Sequence, residues 1–230
     1  MDLKRIFDRC LSDIGGENNK DVRWYREERP KSVSRENFFE QSVWAIWVSG
    51  MKRKAAESFL NSAEEKGFDW DYATVGSWKK EQLSDFMEKL HGNPVPDRAY
   101  KKWKAAWVIA KRISGYSNEE DFCKSVLGGK FRSADLDGSD VRRLADLELP
   151  FIGERNAHFI VRNMGGETIK CDRWIEAFLE HYKMTQGDLE NKLRQLQIPL
   201  GLFDIVFWAY CEKFIGKVSR FDKHFGQFFG

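Results

Sequence analysis

Asp172, Gly153, Arg155 and Lys170 are the residues of this 230-residue chain whose types and spacing point to chemistry. Asp172 stands in Lys170-Cys171-Asp172-Arg173-Trp174, 19 residues (172 − 153) beyond the glycine of Leu149-Pro150-Phe151-Ile152-Gly153. A carboxylate held where water is scarce stabilises positive charge that develops beside it, and it can orient or deprotonate a water molecule. The glycine stretch offers the opposite polarity. Backbone N–H groups at a helix start, with the positive end of its dipole, collect an anion such as a phosphate oxygen. The Lys170 amine could act as a nucleophile, whereas the Arg155 guanidinium keeps its proton and is suited to anion or base contacts.

Each of these residues has to be placed by a helix end. Val141, Leu144, Ala145 and Leu147 give one helix an apolar side, and Pro150 makes its continuation unfavourable. Gly153 is expected to supply positive φ in the turn and, lacking a side chain, to let a phosphate oxygen approach the backbone closely. Glu154 opens a second helix whose Ala157, Phe159, Ile160, Val161 and Met164 form the buried face, and Gly165-Gly166 ends it. Trp174, Ile175, Phe178 and Leu179 then recur at helical spacing, which puts Asp172 at a helix start, where Asp is a good N-cap. Ile175 rules out the reciprocal capping box that Glu or Gln would make there. An ordinary helix pair joined by a Pro-Gly turn, with Asp172 as a cap alone, accounts for the same pattern without chemistry.

The rest of the chain reads as helix after helix, with no convincing strand. Residues 2–14, 37–49, 52–66, 82–90, 100–113, 188–196 and 202–214 have helical patterns, with breaks at Gly15-Gly16, Gly50 and His91-Gly92-Asn93-Pro94-Val95-Pro96. With 42% apolar and 32% charged residues the composition is that of a globular chain, and 230 residues can bury one good core or two small ones. The net charge of +2 gives no global basic field, so any nucleic-acid contact must be local, with Met51-Lys52-Arg53-Lys54 and residues 100–112 the best clusters. The four cysteines, Cys10, Cys123, Cys171 and Cys211, have no metal-ligand spacing. No metal is expected. No apolar run reaches transmembrane length and Met1-Asp2-Leu3-Lys4 does not begin a secretion signal, so a cytoplasmic location with reduced thiols is the simplest expectation.

Residues 140–179 resemble the core of the helix-hairpin-helix (HhH-GPD) DNA glycosylases. That family's catalytic carboxylate lies in a Val-Asp-x-His or Val-Asp-Arg-His context, and Cys171-Asp172-Arg173-Trp174 is similar to it. The resemblance implies that Asp172 stabilises the oxocarbenium-like sugar formed when an N-glycosidic bond breaks, and activates the attacking water. Members that also cut the strand carry a lysine two residues after the hairpin glycine. Arg155 stands there, which implies a monofunctional enzyme that leaves an abasic site. Phe151 replaces the first glycine of the usual Leu-Pro-Gly-x-Gly. A bulky residue fits positive φ poorly, so the hairpin is expected to differ in shape, with the Phe151 ring able to pack beneath the turn.

The resemblance further implies an all-α fold of two helical domains with the active cleft between them. Residues 37–167 would form a six-helix domain containing the helix-hairpin-helix 140–164, and residues 1–36 would join 168–230 in the second, with Arg155 and Asp172 facing each other across the cleft. Phe151, Ile152, Gly153, Glu154 and Arg155 would meet double-stranded DNA, together with Met51, Lys52 and Arg53 in the loop that fills the gap left by an extruded nucleotide. Trp24, Tyr25, Trp44 and Trp47 would line the base pocket. No cofactor and no iron–sulfur cluster are expected, apart from a monovalent cation that the hairpin carbonyls could hold. The protein would act as a monomer without a membrane, associated with the nucleoid if bacterial. Two alternatives stay open: a non-enzymatic DNA-binding module, and a glycosylase with lyase activity using Lys170. Alkylated, oxidised, mismatched and hypermodified bases are all open as substrates, as is a role in genome repair or defence.

Overall fold

The computed structural model describes residues 1–51 and 53–229, with side-chain surroundings up to residue 226. Among these residues the regular elements are helices, and the one β contact is an antiparallel bridge between Ser32 and Arg132. In chain order, α1 (Leu3–Ile14) and α2 (Lys20–Arg23) come first, and α2 runs into a π-helical turn at Trp24–Glu28. There follow α3 (Arg35–Val48), α4 (Arg53–Glu65), α5 (Tyr72–Ser77), α6 (Lys80–His91), α7 (Asp97–Ser114) and α8 (Glu119–Leu127). The hairpin pair is α9 (Gly138–Asp146) and α10 (Glu154–Asn163). Then come α11 (Arg173–Tyr182), α12 (Gln186–Gln195), α13 (Leu200–Tyr210) with a π-helical extension at Cys211–Ile215, and α14 (Phe221–Phe229). No helix among the described residues is long and apolar enough to cross a membrane.

The chain is all-α, and its expected helices are present with ends displaced by a few residues. Four further helices appear, α2, α5, α8 and α14. α5 is too short to show a period. α8 opens on Glu119-Glu120-Asp121 and buries Phe122, Cys123, Val126 and Leu127.

The chain divides into two compact units, Met1–Arg29 with Gly165–Gly230, and Pro30–Met164. Both boundaries fall a few residues before those expected at 36/37 and 167/168, and hydrogen bonds give the reason. Residues 31–33 are tied to the second unit by Val33 N–H donating to Phe131 O at 2.9 Å and by Ser133 N–H donating to Lys31 O at 3.2 Å. Glu167 belongs to the first unit, where it accepts from the Tyr25 phenol, from Arg29 Nη1 at 3.1 Å and from the Gly201 amide at 3.3 Å.

Each unit has its own aromatic core. In Pro30–Met164 the fully buried Trp103 of α7 lies 5.0 Å from Trp47, 4.7 Å from Phe68 and 5.0 Å from Phe86 between ring centroids. In the other unit Phe178 of α11 packs edge-on to Phe203, Phe207 and Phe225, with Trp174 buried in the same cluster. These offset and edge geometries are the ones favoured by the ring quadrupole.

α5 lies against α7 because Gly76 has no side chain: a Cβ there would stand 2.6 Å from Ser114 Oγ and 3.0 Å from Ala110 O. Alanine favours the helix by up to ~1 kcal/mol over glycine, yet the overpacking opposes it more strongly. Gly76→Ala is expected to cost about 1–2 kcal/mol in denaturant unfolding.

Candidate active site

The hairpin is built by two left-handed residues that are not glycine. α9 ends at Asp146, Glu148 has φ 51°, and Phe151 has φ 65°. Gly153, expected at positive φ, is instead extended at φ −88° and ψ −179°, as N-cap of α10. The turn is thus made two residues earlier than expected. A Cβ on Gly153 would meet nothing within 4 Å, so neither backbone strain nor crowding inside the chain requires glycine there. Its missing side chain leaves the approach to the start of α10 open.

Phe151 does not pack beneath the turn either. The residue is 41% exposed while its neighbour Ile152 is buried and anchors the hairpin. Phe151 is locked by two bonds: Ile152 N–H to Leu149 O at 2.9 Å and Asn156 Nδ2 to Phe151 O at 2.7 Å. At the start of α10 the Gly153 side makes no side-chain cap, Gly153 O accepts from Asn156 and Ala157 N–H, and Glu154 and Arg155 are exposed. Amides of a first helical turn that lack a cap suit an anion.

Asp172 is the N-cap of α11. Its Oδ1 accepts from Trp174 N–H at 2.9 Å and Ile175 N–H at 3.2 Å, and no capping box is formed. Both bonds fall on one oxygen. Oδ2 takes no hydrogen bond from the described residues, and the side chain is half-buried, so one oxygen builds the helix while the other is available. Lys170 is half-buried two residues earlier, and its carbonyl accepts from Asp172 N–H at 2.8 Å.

The remaining candidates separate into supporting and exposed groups. In the first unit Trp24 is half-buried, while Tyr25 is buried with its hydroxyl donated to Glu167 and with Arg29 stacked 3.7 Å above its ring. Burial first, then the Glu167 carboxylate, push the Tyr25 phenol well above its ordinary range. Tyr25 is therefore a neutral donor committed to its own unit. In the second unit Trp44 is half-buried and Trp47 is buried against Phe59, and the Trp47 indole N–H has no partner among the described residues. Arg53 pairs with Glu57 at 2.8 Å, Met51 is half-buried against the core, and Lys52 lies outside the described residues. Two depressions of about 580 Å³ and 380 Å³, on α4 and between α6 and α7, include Lys54, Tyr100, Lys104 and Trp107 of the basic clusters, but neither Asp172 nor the hairpin. No group of three or more His, Cys, Asp or Glu among the described residues is placed to hold a metal ion.

Sequence reasoning missed the two cations behind the 49–51 loop. Lys102 Nζ of α7 donates to Trp47 O and Ser49 O, both at 3.0 Å, and Arg98 Nη2 donates to Ser49 O at 3.1 Å and Gly50 O at 3.0 Å. They close the carboxyl end of α3, where unsatisfied carbonyls and the negative dipole end favour cations. Gly50 is needed twice over. Its φ is +71°, and a Cβ would lie 2.3 Å from Arg98 Nη2. The signal in the sequence was faint: Arg98 and Lys102 share a helix face, but nothing there links them to Gly50.

No protein-family model and no curated protein matches the sequence. Among solved structures, the crystal structure of the 8-oxoguanine DNA glycosylase of Methanocaldococcus jannaschii is similar over 94% of this chain and 90% of its own, with a TM-score of 0.51 at 16% identity. The 8-oxoguanine glycosylase/lyase of the same organism, in complex with a 15mer DNA containing 8-oxoguanine, covers 95% of this chain and 93% of its own, with a TM-score of 0.48 at 17% identity. The first likeness is one of helical fold.

Two outcomes are expected from this geometry. Phe151→Gly removes a side chain from a left-handed position and is expected to raise stability by about 0.5–1 kcal/mol in thermal unfolding, the gain in unfolded-state entropy offsetting part of the relieved strain. Lys102 is buried, and burial first, then Arg98, lowers its amine from 10.5 to about 8. The folded chain then binds this proton less tightly than the unfolded one between about pH 8 and 10.5, so the contribution of Lys102 to stability rises with pH across that window. Denaturant unfolding at pH 7.5 and pH 10 is expected to show this as a rise of up to about 3 kcal/mol, relative to Lys102→Met.

Proposed function

We propose that this chain is a monofunctional DNA glycosylase, with Asp172 as its catalytic carboxylate and the Phe151–Arg155 turn as its grip on the DNA backbone. The observation that carries the reading is the division of labour at Asp172, where Oδ1 caps α11 and Oδ2 keeps its lone pairs open. The helical fold shared with an 8-oxoguanine DNA glycosylase over 94% of the chain supports it.

The chemistry requires little more. As the C1′–N bond of the flipped nucleotide breaks, the base departs with the electron pair and takes up a proton, and positive charge builds on the sugar. The Oδ2 side of Asp172 stabilises that charge and receives a proton from the water whose oxygen adds to C1′. The product is an abasic site. Arg155 stands where the resemblance puts the lyase lysine of strand-cutting enzymes, and its guanidinium cannot form a Schiff base. Its position on the exposed first turn of α10 suits a phosphate contact. Met51 and Arg53, beside the loop clamped by Arg98 and Lys102, are further proposed DNA contacts, and Trp24 and Trp44, each half-buried in its own unit, are proposed stacking surfaces for a base.

The capping bonds of Asp172 also favour a second reading, a DNA-binding module in which Asp172 is a cap alone. One substitution separates the two. Asn caps a helix as well as Asp does, so Asp172→Asn is expected to leave folding and duplex affinity nearly unchanged. Base release would fall about 10²–10³-fold. The measurement uses duplexes carrying oxidised, alkylated, deaminated and hypermodified bases, with 8-oxoguanine first, released bases identified by mass spectrometry, and strands analysed with and without alkali. Breakage without alkali, together with a borohydride-trapped adduct lost in Lys170→Met, would replace the monofunctional reading by a lyase. Binding without release of any base would favour the module.

A further inference from the structure

The first turn of α11 is held from two sides. Asp172 Oδ1 takes the backbone amides of Trp174 and Ile175. The side chains of Arg173 and Trp174 both end on Glu212, whose Oε1 accepts from Trp174 Nε1 at 3.0 Å and pairs with the Arg173 guanidinium. Trp174 is therefore gripped by one carboxylate through its backbone and by another through its indole.

Glu212 reaches this place from the π-helical segment Cys211–Ile215 that extends α13. A π turn adds a residue to the helical repeat and re-aims the side chains on it, and such turns recur at functional sites. Trp174 is fully buried, so its indole N–H requires an acceptor. A neutral oxygen would satisfy that need. Glu212 is instead a partly exposed carboxylate that also fixes Arg173, the residue immediately after Asp172. The Cys211 thiol beside it is pushed up, chiefly by its burial.

We infer that Glu212 is a positioning residue for Asp172: by clamping Arg173 and Trp174 it holds the first turn of α11 in one place, so that Oδ1 stays on the cap and Oδ2 keeps one direction. The catalytic consequence rests on the reading of Asp172 given above. The mechanical one does not.

The test compares Glu212→Leu, which removes both bonds, with Glu212→Gln, which keeps an acceptor for the indole. Hydrogen exchange of the Trp174 and Ile175 amides is followed by NMR, alongside single-turnover base release and duplex affinity. In Glu212→Leu exchange at these two amides is expected to speed up about tenfold or more, because the cap opens more often. Base release is expected to fall about tenfold or more with affinity unchanged within about twofold, as for a displaced catalytic group. Glu212→Gln should restore most of both. If Glu212→Leu does not fold, Arg173→Met removes the exposed half of the clamp and leaves the indole paired, and a smaller acceleration at the same amides is expected. Unchanged exchange in the folded variant overturns the inference, and so does a loss of affinity that parallels the loss of rate. An Asp172→Asn protein that releases base like the native one overturns the catalytic reading instead, and leaves the amide result standing.

Discussion

The first amides of an α-helix have no carbonyl partner within the helix, and how each start is satisfied organises this chain. Side chains of Asp2, Ser34, Asp71, Asn118, Asp137 and Asp172 accept from the amides that follow them. α10 begins differently, on Gly153, with no side-chain cap. The two starts are electrostatic opposites. One carries an anion of the chain itself, with an oxygen to spare, and the other exposes amides that suit an anion from outside. Both properties follow from the same constraint applied to Asp in one place and Gly in the other.

Around these starts the packing is conservative and the polar groups are few. Each unit closes its own aromatic cluster, so the helices that carry Asp172 and the hairpin are fixed by burial and not by the site. Two buried or half-buried polar clusters are tied down by hydrogen bonds between distant residues. Arg162 donates to Asn163 Oδ1 and Asn163 to Gln41 Oε1, which joins α10 to α3 through a buried amide pair. Tyr25, Arg29 and Glu167 do the same for the other unit. Such networks lock relative positions because a half-satisfied partner in the interior is costly.

Strain and charge collect at the surface turns. Phe151 occupies a left-handed conformation with its ring in solvent, and Gly50 occupies one with a guanidinium where its Cβ would be. At the second of these, two cations from α7 meet the exposed carbonyls at the end of α3. The two turns reach rigidity by different means: the hairpin through the Asn156 side chain on its own backbone, and the 49–51 loop through cations borrowed from another helix.

The sequence by itself determined the helices and the cap. The 3.6-residue period of apolar residues is a local property, and it was enough to give an all-α chain, the helix pair around Pro150, and Asp172 at the start of α11. It missed α2 and α5, which are too short to have a period, and also α8 and α14. It misread the hairpin, because the choice of Gly153 over Phe151 for positive φ rests on intrinsic preference, while the turn is set by hydrogen bonds from Ile152 and Asn156 that cost Phe151 its preferred backbone. Tertiary structure alone decided the partners distant in sequence: Glu167 with Tyr25, Lys102 with Trp47, and Glu212 with Trp174. These pairs are separated by 142, 55 and 38 positions. No local pattern encodes them, since each pairing follows from which helix faces come to rest against each other once the apolar stripes are buried.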